Sequence, residues 1–293
     1  MTRKSAIFFI ILGASLMSFV GVLMRILETQ DVFLILFYRS IGLSIMVLVF
    51  TCLRRKQSVK DFFNFLDTKD LIVGLCLAIT FIFYVFAMVY TSVASALFII
   101  SAGPFLTAII SWLWINEKPK SITWLSMFIA TVGVLIMLKN GNQTGNSFGN
   151  FCALVSALSF SIMLVYIRKS KKLDVLGGTF VGAVLCCVLG FFVTIFINKT
   201  INVSIKDMWI IICMGAFTIG LGISLVTWSA SYLPAPEVSL FMLTESVLGP
   251  IWPWLFLSEK VTLMEMFGGV LILFSLLLLF LLGGKKREFL SNL

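Results

Sequence analysis

No histidine occurs in the 293 residues, and only 12% of them are charged. The first absence removes the most common general base and zinc ligand, and with it any Ser-His-Asp or Cys-His nucleophile pair. The second excludes an ordinary soluble domain, in which about 25% of residues are charged. The chain also lacks a Gly-rich phosphate loop ending in Lys-Ser/Thr, a Gly-x-Ser-x-Gly elbow and a repeated filter segment. An ATP-driven pump, a serine hydrolase and a selective ion channel are therefore each without their signature. Cys52, Cys76, Cys152, Cys186, Cys187 and Cys213 stand in or beside apolar runs with no zinc-ligand spacing. They read as small buried hydrophobes, so no metal and no cofactor is expected.

What is present is apolar length, since 60% of the residues are hydrophobic. A helix needs about 20 mainly apolar residues to cross the hydrocarbon core. Leu71 to Asn116 runs 46 residues without Asp, Glu, Lys or Arg, which suits two spans joined by a tight turn near Tyr90 to Val93. Such runs exclude barrel strands, which are about 10 residues long and alternate in polarity. Arg3 and Lys4 precede an apolar stretch like that of a signal peptide, but Ala6 to Met24 is of full span length without a clear small-residue cleavage site, and reads as a retained first helix. Ten spans are expected, over 5–26, 32–53, 71–90, 94–114, 121–138, 149–167, 175–197, 208–229, 237–257 and 264–283.

The net charge of +9 does not indicate nucleic acid, because the cations stand in loops between apolar runs and not on one face of a soluble fold. With the N-terminus inside, the inner segments hold Arg3, Lys4, Arg54, Arg55, Lys56, Lys60, Lys69, Lys118, Lys120, Arg168, Lys169, Lys171, Lys172, Lys285, Lys286 and Arg287. The outer segments hold Arg25, Lys139, Lys199, Lys206 and Lys260, so the bias is 16 against 5. By the positive-inside rule both termini of this multi-pass protein are expected in the cytoplasm, with the cytoplasmic (inner) membrane as its location.

The two halves repeat. An offset of 142 lays Tyr90 on Tyr232, Trp112 on Trp254, Glu117 on Glu259 and Lys118 on Lys260, while 143 lays Ser18 on Ser161, Arg25 on Arg168, Asp31 on Asp174 and Phe37 on Phe180. Five spans is an odd number, so the second half enters the membrane upside down relative to the first. The expected fold is an all-α membrane protein of ten transmembrane helices in two inverted five-helix repeats, residues 1–140 and 141–293.

Each half carries a Tyr ending its third span (Tyr90, Tyr232), a Gly-Pro pair in its fourth (Gly103-Pro104, Gly249-Pro250), a Glu-Lys pair at the next turn (Glu117-Lys118, Glu259-Lys260) and small residues in its fifth (Gly133, Gly268-Gly269). With Tyr38-Arg39 in the second span, this pattern resembles the drug/metabolite transporter superfamily, specifically its EamA-type ten-helix members, over essentially the whole chain. The resemblance implies a central cavity formed mainly by helices 1 to 4 and 6 to 9, with helices 5 and 10 peripheral.

Charges inside hydrocarbon are costly and face protein or water, which makes Arg39 and Glu245 the leading site residues. A mutual structural tie, substrate binding and proton carriage all stay open for them. Tyr84 and Trp228 are candidates for stacking on a ring or cation. Ser18, Ser101, Ser161 and Thr244 offer hydroxyls, although hydroxyls in such helices also bond their own backbone. Pro104, Gly249, Pro250 and Pro253 read as kinks or hinges, and paired irregular helices in the two halves point to a transport site.

The resemblance implies a secondary transporter that moves a small polar metabolite, an amino acid or related compound with export favoured, by alternating access. An uptake carrier for a larger amine or nucleoside-like metabolite is the alternative. A membrane-embedded enzyme is the reading from another class, but it needs a nucleophile with a base, two facing carboxylates or a metal, and only one acid lies deep here. The expected partners are the substrate and the lipid bilayer, with no nucleic acid. Protons as coupling ion and a homodimer remain open.

Overall fold

The computed structural model describes residues 1–29, 31–91, 93–138, 146–172, 174–198, 203–249, 251–257 and 263–282. Among them there is no strand. The first half comprises α1 (Arg3–Met17), α2 (Val20–Ile26), α3 (Val32–Arg55), α4 (Val59–Asn64), α5 (Thr68–Tyr90), α6 (Val93–Ile100), α7 (Gly103–Ile115) and α8 (Ser121–Leu138). The second comprises α9 (Ser147–Ser170), α10 (Leu176–Asn198), α11 (Ile205–Cys213), a π-helical segment (Met214–Gly220), α12 (Leu221–Ala230), α13 (Ala235–Met242), α14 (Thr244–Leu248), α15 (Ile251–Leu257) and α16 (Leu263–Leu282).

Six stretches are long and apolar enough to cross a membrane: Arg3–Ile26, Val32–Arg55, Thr68–Tyr90, Ser147–Ser170, Leu176–Phe196 and Ile205–Ala230. Shorter apolar helices occupy Gly103–Ile115, Ser121–Ile136 and Met266–Leu282. The chain is an all-α membrane protein, and each of the ten intervals read from the sequence is helical over most of its described residues.

Caps set the boundaries. The Asp31 carboxylate accepts the N–H groups of Phe33 and Leu34 at 2.9 and 3.0 Å and starts α3. Asp67 and Asp70 exchange bonds in a capping box at the start of α5, satisfying donors that have no partner inside the helix. A second box, Ser58 with Asp61, starts α4, which the apolar pattern had not marked. Phe63 in that helix and Phe65 at its C-cap are exposed.

Interruptions fall where the backbone is perturbed. Pro104 stands in the first turn of α7, where its missing N–H forfeits no helical bond. The first span divides between α1 and α2, where Ser18 Oγ donates back to the Ser15 carbonyl at 2.6 Å, a bond that bends helices. The ninth divides after Met242 and again after Leu248. Pro250 and the Pro253 side chain lie outside the described residues, as do Glu259 and Lys260.

The packing repeats when the halves are exchanged. α5 lies on α9 as α1 lies on α12, α7 on α9 as α13 on α1, and α10 on α5 as the π-helical segment on α3. The pairs α8 with α16, α3 with α10 and α7 with α13 map onto themselves. This is the two-fold relation expected of inverted repeats.

Lipid tails are as apolar as leucine, so the helices gain by close backbone approach and not by hiding apolar surface. Where α1 crosses α12, a Cβ on Gly222 would lie 2.8 Å from the Gly13 carbonyl oxygen and 2.7 Å from Met17 Cγ, whereas one on Gly21 would meet nothing within 4 Å. Gly222→Val is therefore expected to destabilise the protein by about 1–3 kcal/mol, the usual cost of overpacking, and Gly21→Val to change stability by less than about 0.5 kcal/mol. Thermal unfolding of the two purified variants in one detergent checks this; equal midpoints would show that the crossing is not close-packed.

Candidate functional site

Between the halves lies a cavity with about 820 Å³ of empty space, its mouth included. The first half supplies Met17, Val20, Arg39, Thr80, Phe81, Tyr84, Leu97, Ile100 and Gly103. The second supplies Ser156, Ala157, Phe160, Ile219, Ile223, Ser239, Met242, Leu243, Glu245 and Ser246. None of these belongs to α8, α10 or α16. The wall is mostly apolar with a few polar groups, the usual composition of a small-molecule site.

Two charges face this space. Glu245 stands in the first turn of the short α14, and its Oε1 accepts a hydrogen bond from Tyr84 Oη of α5 at 3.3 Å. Arg39, on α3, is 2% exposed. Its Nη2 donates to the Phe81 carbonyl at 3.2 Å, its guanidinium stands 5.5 Å from the centre of the Phe81 ring, and its Nε has no partner. A guanidinium carries five N–H donors, and here one hydrogen bond is made. Among the described residues no ion pair joins Arg39 to Glu245 or to any other carboxylate. Behind Arg39, Gly215 of the π-helical segment packs so closely on the Arg39 backbone that a side chain there would collide with it. Irregular helix of this kind is frequent at functional sites.

The remaining residues singled out by sequence divide clearly. Tyr84 is in the wall. Trp228 is not; it packs against Phe9 with ring centres 5.2 Å apart and lies 4.8 Å beneath the Arg54 guanidinium. Ser18 Oγ accepts from Trp252 Nε1 at 2.7 Å, and Trp252 stacks on Phe19 at 3.8 Å. Ser161 Oγ donates to the carbonyls of Ala157 and Gly103 at 2.8 and 3.2 Å, and Thr244 Oγ1 to Phe241 at 2.8 Å. Ser101 is buried outside the lining set. Pro104 and Gly249 stand at helix interruptions, and the Gly249 N–H donates to the Glu245 carbonyl at 2.8 Å.

Sequence reading missed Phe81, Met17, Ser239 and Met242 in the wall. They carry no charge and look like any apolar-span residue, so only their three-dimensional convergence selects them. It also missed the charges that join the halves at one end of the bundle. Arg54 and Arg55 both pair with Asp174, the latter at 2.7 Å. Lys172 reaches Asp67 and Asp70 at 3.1 and 2.6 Å, Arg168 reaches Glu117 at 3.1 Å, and Arg3 reaches the buried Glu237 at 3.0 Å. Each pair links one half to the other.

The EamA-like transporter family model matches this chain twice, over residues 4–139 and 147–281. Two uncharacterized transporters of Bacillus subtilis (strain 168) are similar to it. YdfC is 26% identical over 189 residues, covering 61% of this chain and 60% of that protein. YoaV is 24% identical over 178 residues, covering 58% and 60%. The alignments thus span about 60% of the length of these relatives. One solved crystal structure superimposes with a TM-score of 0.77 at 16% identity, over 97% of this chain and all of that one, a likeness of fold.

Because Arg39 has no acidic partner to lose, removing Glu245 leaves it no more uncompensated than before. Arg39→Gln is therefore expected not to restore any stability lost in Glu245→Gln. In a double-mutant cycle on unfolding midpoints their interaction should stay within about 0.5 kcal/mol of zero; a clearly favourable coupling would reveal a hidden ion pair.

Proposed function

The chain belongs to the EamA-like transporter family, and on that premise we propose that it carries a small polar metabolite bearing both an anionic and a cationic group, an amino acid or a related compound. The observation that carries this reading is the pair of separate, mutually unpaired charges on one cavity wall, Arg39 and Glu245. Holding a charge away from water without a partner costs on the order of several kcal/mol. A carboxylate arriving in the substrate would offset that cost at Arg39, where unused N–H donors suit bidentate recognition. An ammonium group would meet Glu245, held in place by Tyr84, and the apolar wall around Phe81 and Met242 would take the side chain of the metabolite.

Transport follows by alternating access between two repeats, residues 1–140 and 141–293, with both termini in the cytoplasm of a cell bounded by this membrane. The ion pairs at the basic end support a resting state closed on that side, since each of them ties one half to the other. Export is favoured over uptake on the family resemblance, and a proton is a second role open to Glu245.

Uptake and counterflow of labelled amino acids in proteoliposomes test the reading. A carrier saturates and shows counterflow. Arg39→Gln and Glu245→Gln should each lower affinity for a zwitterionic substrate by about tenfold or more, the worth of one charged hydrogen bond, while Trp228→Ala, outside the cavity wall, should leave affinity unchanged and lower stability. Unchanged zwitterion affinity in both folded cavity variants would remove these charges from substrate recognition.

The closed-side reading has its own measurement. Asp174→Asn removes the acid shared by Arg54 and Arg55, and should increase labelling of a cysteine placed at Ser239 by a membrane-impermeant thiol reagent applied from the basic side. Labelling that stays the same would show that these pairs do not hold that side shut.

A further inference from the structure

The wall of the central cavity holds two charges, Arg39 and Glu245, and among the described residues no third ionised side chain and no carboxamide. Both charges are anchored on α5, Arg39 at the Phe81 carbonyl and ring and Glu245 at Tyr84 Oη, three residues further along the same helix. Of the other hydroxyls in the wall, Thr80 Oγ1 donates to the Cys76 carbonyl at 2.8 Å and Ser156 Oγ to the Thr80 carbonyl at 3.0 Å. That leaves Ser239 and Ser246. The rest of the wall is apolar. The second half supplies Phe160 of α9, Ile219 and Ile223 around the end of the π-helical segment, and Met242 and Leu243 at the α13–α14 break, and Met17 joins them from the first half.

If the carboxylate and ammonium of a zwitterion occupy Arg39 and Glu245, no charge remains for its side chain. An acidic or basic side chain would then stand unpaired in apolar surroundings, which strongly disfavour an ion. A carboxamide would give up water for a wall with few free hydrogen-bonding groups. An apolar side chain gains with every methylene it buries. Met17 and Met242, one from each half, are unbranched thioethers that adapt to side chains of different shape, so such a wall grades ligands by apolar size and does not demand one outline. We propose that the cavity selects neutral α-amino acids with a long apolar or aromatic side chain, the class of methionine, leucine and phenylalanine, and that Phe160, Met17 and Met242 grade that side chain. This rests on the zwitterion reading of Arg39 and Glu245 and adds a demand on the side chain that the reading itself does not make.

The test is a graded ligand series on the purified, monodisperse full chain in a neutral detergent, read as the ligand-dependent rise in unfolding midpoint and converted to apparent affinity. From alanine through norvaline to norleucine, affinity should rise about fourfold for each added methylene, the equivalent of about 0.8 kcal/mol. Methionine and phenylalanine should bind as tightly as norleucine, glutamine about tenfold more weakly, and glutamate and lysine more weakly still. Phe160→Ala should lower norleucine affinity about tenfold while leaving alanine within about twofold of the parent, and Phe160→Leu should keep most of the gradation. Because that ratio is taken within one variant, loss of folding does not produce it. Alanine and norleucine binding within about twofold of each other, or glutamine binding as tightly as methionine, overturns the side-chain selection and leaves the zwitterion reading in place. Methionine blocked at both its amino and carboxyl groups binding as tightly as methionine overturns the zwitterion reading and the proposal with it. A Phe160→Ala protein that grades the series as the parent does removes Phe160 from the residues that select.

Discussion

Every peptide group in this chain that reaches the hydrocarbon must find its hydrogen bond within the protein, because lipid offers none. That constraint turns each long apolar run into helix before any tertiary contact is considered. It also moves the sources of specificity elsewhere. Helix pairing rests on small residues such as Gly13 and Gly222, which let two backbones touch, and on caps such as Asp31 and Asp67, which release the chain from lipid at defined residues. Where the helical ladder is broken, at Gly103-Pro104, Leu243 and the π-helical segment, Gly103, Leu243 and Ile219 line the central cavity.

The fold was legible in the sequence to the extent that lipid dictates it. Ten apolar intervals, the 142-to-143 offset and the resemblance to a transporter family agree with an all-helical molecule that repeats on exchanging halves. What escaped were features that leave no trace in hydropathy. α4 is a six-residue helix made by a capping box. The pairing of Asp174 with Arg54 and Arg55 joins positions 119 and 120 residues apart, and local sequence gives each of them a complete reading as a cap or a loop cation. At the site, charge was informative because charge in lipid is expensive, and Arg39, Glu245 and the neighbouring Tyr84 do share one wall. Hydroxyls were uninformative for the opposite reason. A serine or threonine can satisfy itself on its own helix at no cost to the span, as Thr244 does on Phe241, so its presence alone says nothing about a ligand.

Duplication explains the frame of the site but not its chemistry. At the same offsets the counterpart of Arg39 is Gly182, and that of Glu245 is Gly103. The halves therefore contribute one charge each, at positions that do not correspond, and the position equivalent to each charge in the other repeat is a glycine. A cavity built in this way presents one charge of each sign at two places along its wall, whereas strict repetition would add to each a second charge of its own sign. On the proposed zwitterion reading, that asymmetry is what would let a nearly symmetric frame distinguish the two ends of its substrate.

The same reasoning applies to the two ends of the bundle. Asp31 is the counterpart of Asp174, and both accept backbone N–H groups at a helix start. The residues corresponding to Arg54 and Arg55 are Ile197 and Asn198, which carry no charge. The closure that Asp174 makes at the basic end is therefore not repeated from those positions at the other. The opposite end is tied as well, by Lys206 to Glu28 at 3.0 Å, so if the halves rock about the central cavity, the pairs of Asp174 with Arg54 and Arg55 contribute one part of the difference between the two extreme states. These pairs are partly exposed, with side chains about one fifth to one quarter accessible, so each is worth about 1 kcal/mol or less and is weakened by salt. A bias of that size favours one state without trapping it, since a ligand that prefers the other by a few kcal/mol can reverse the balance.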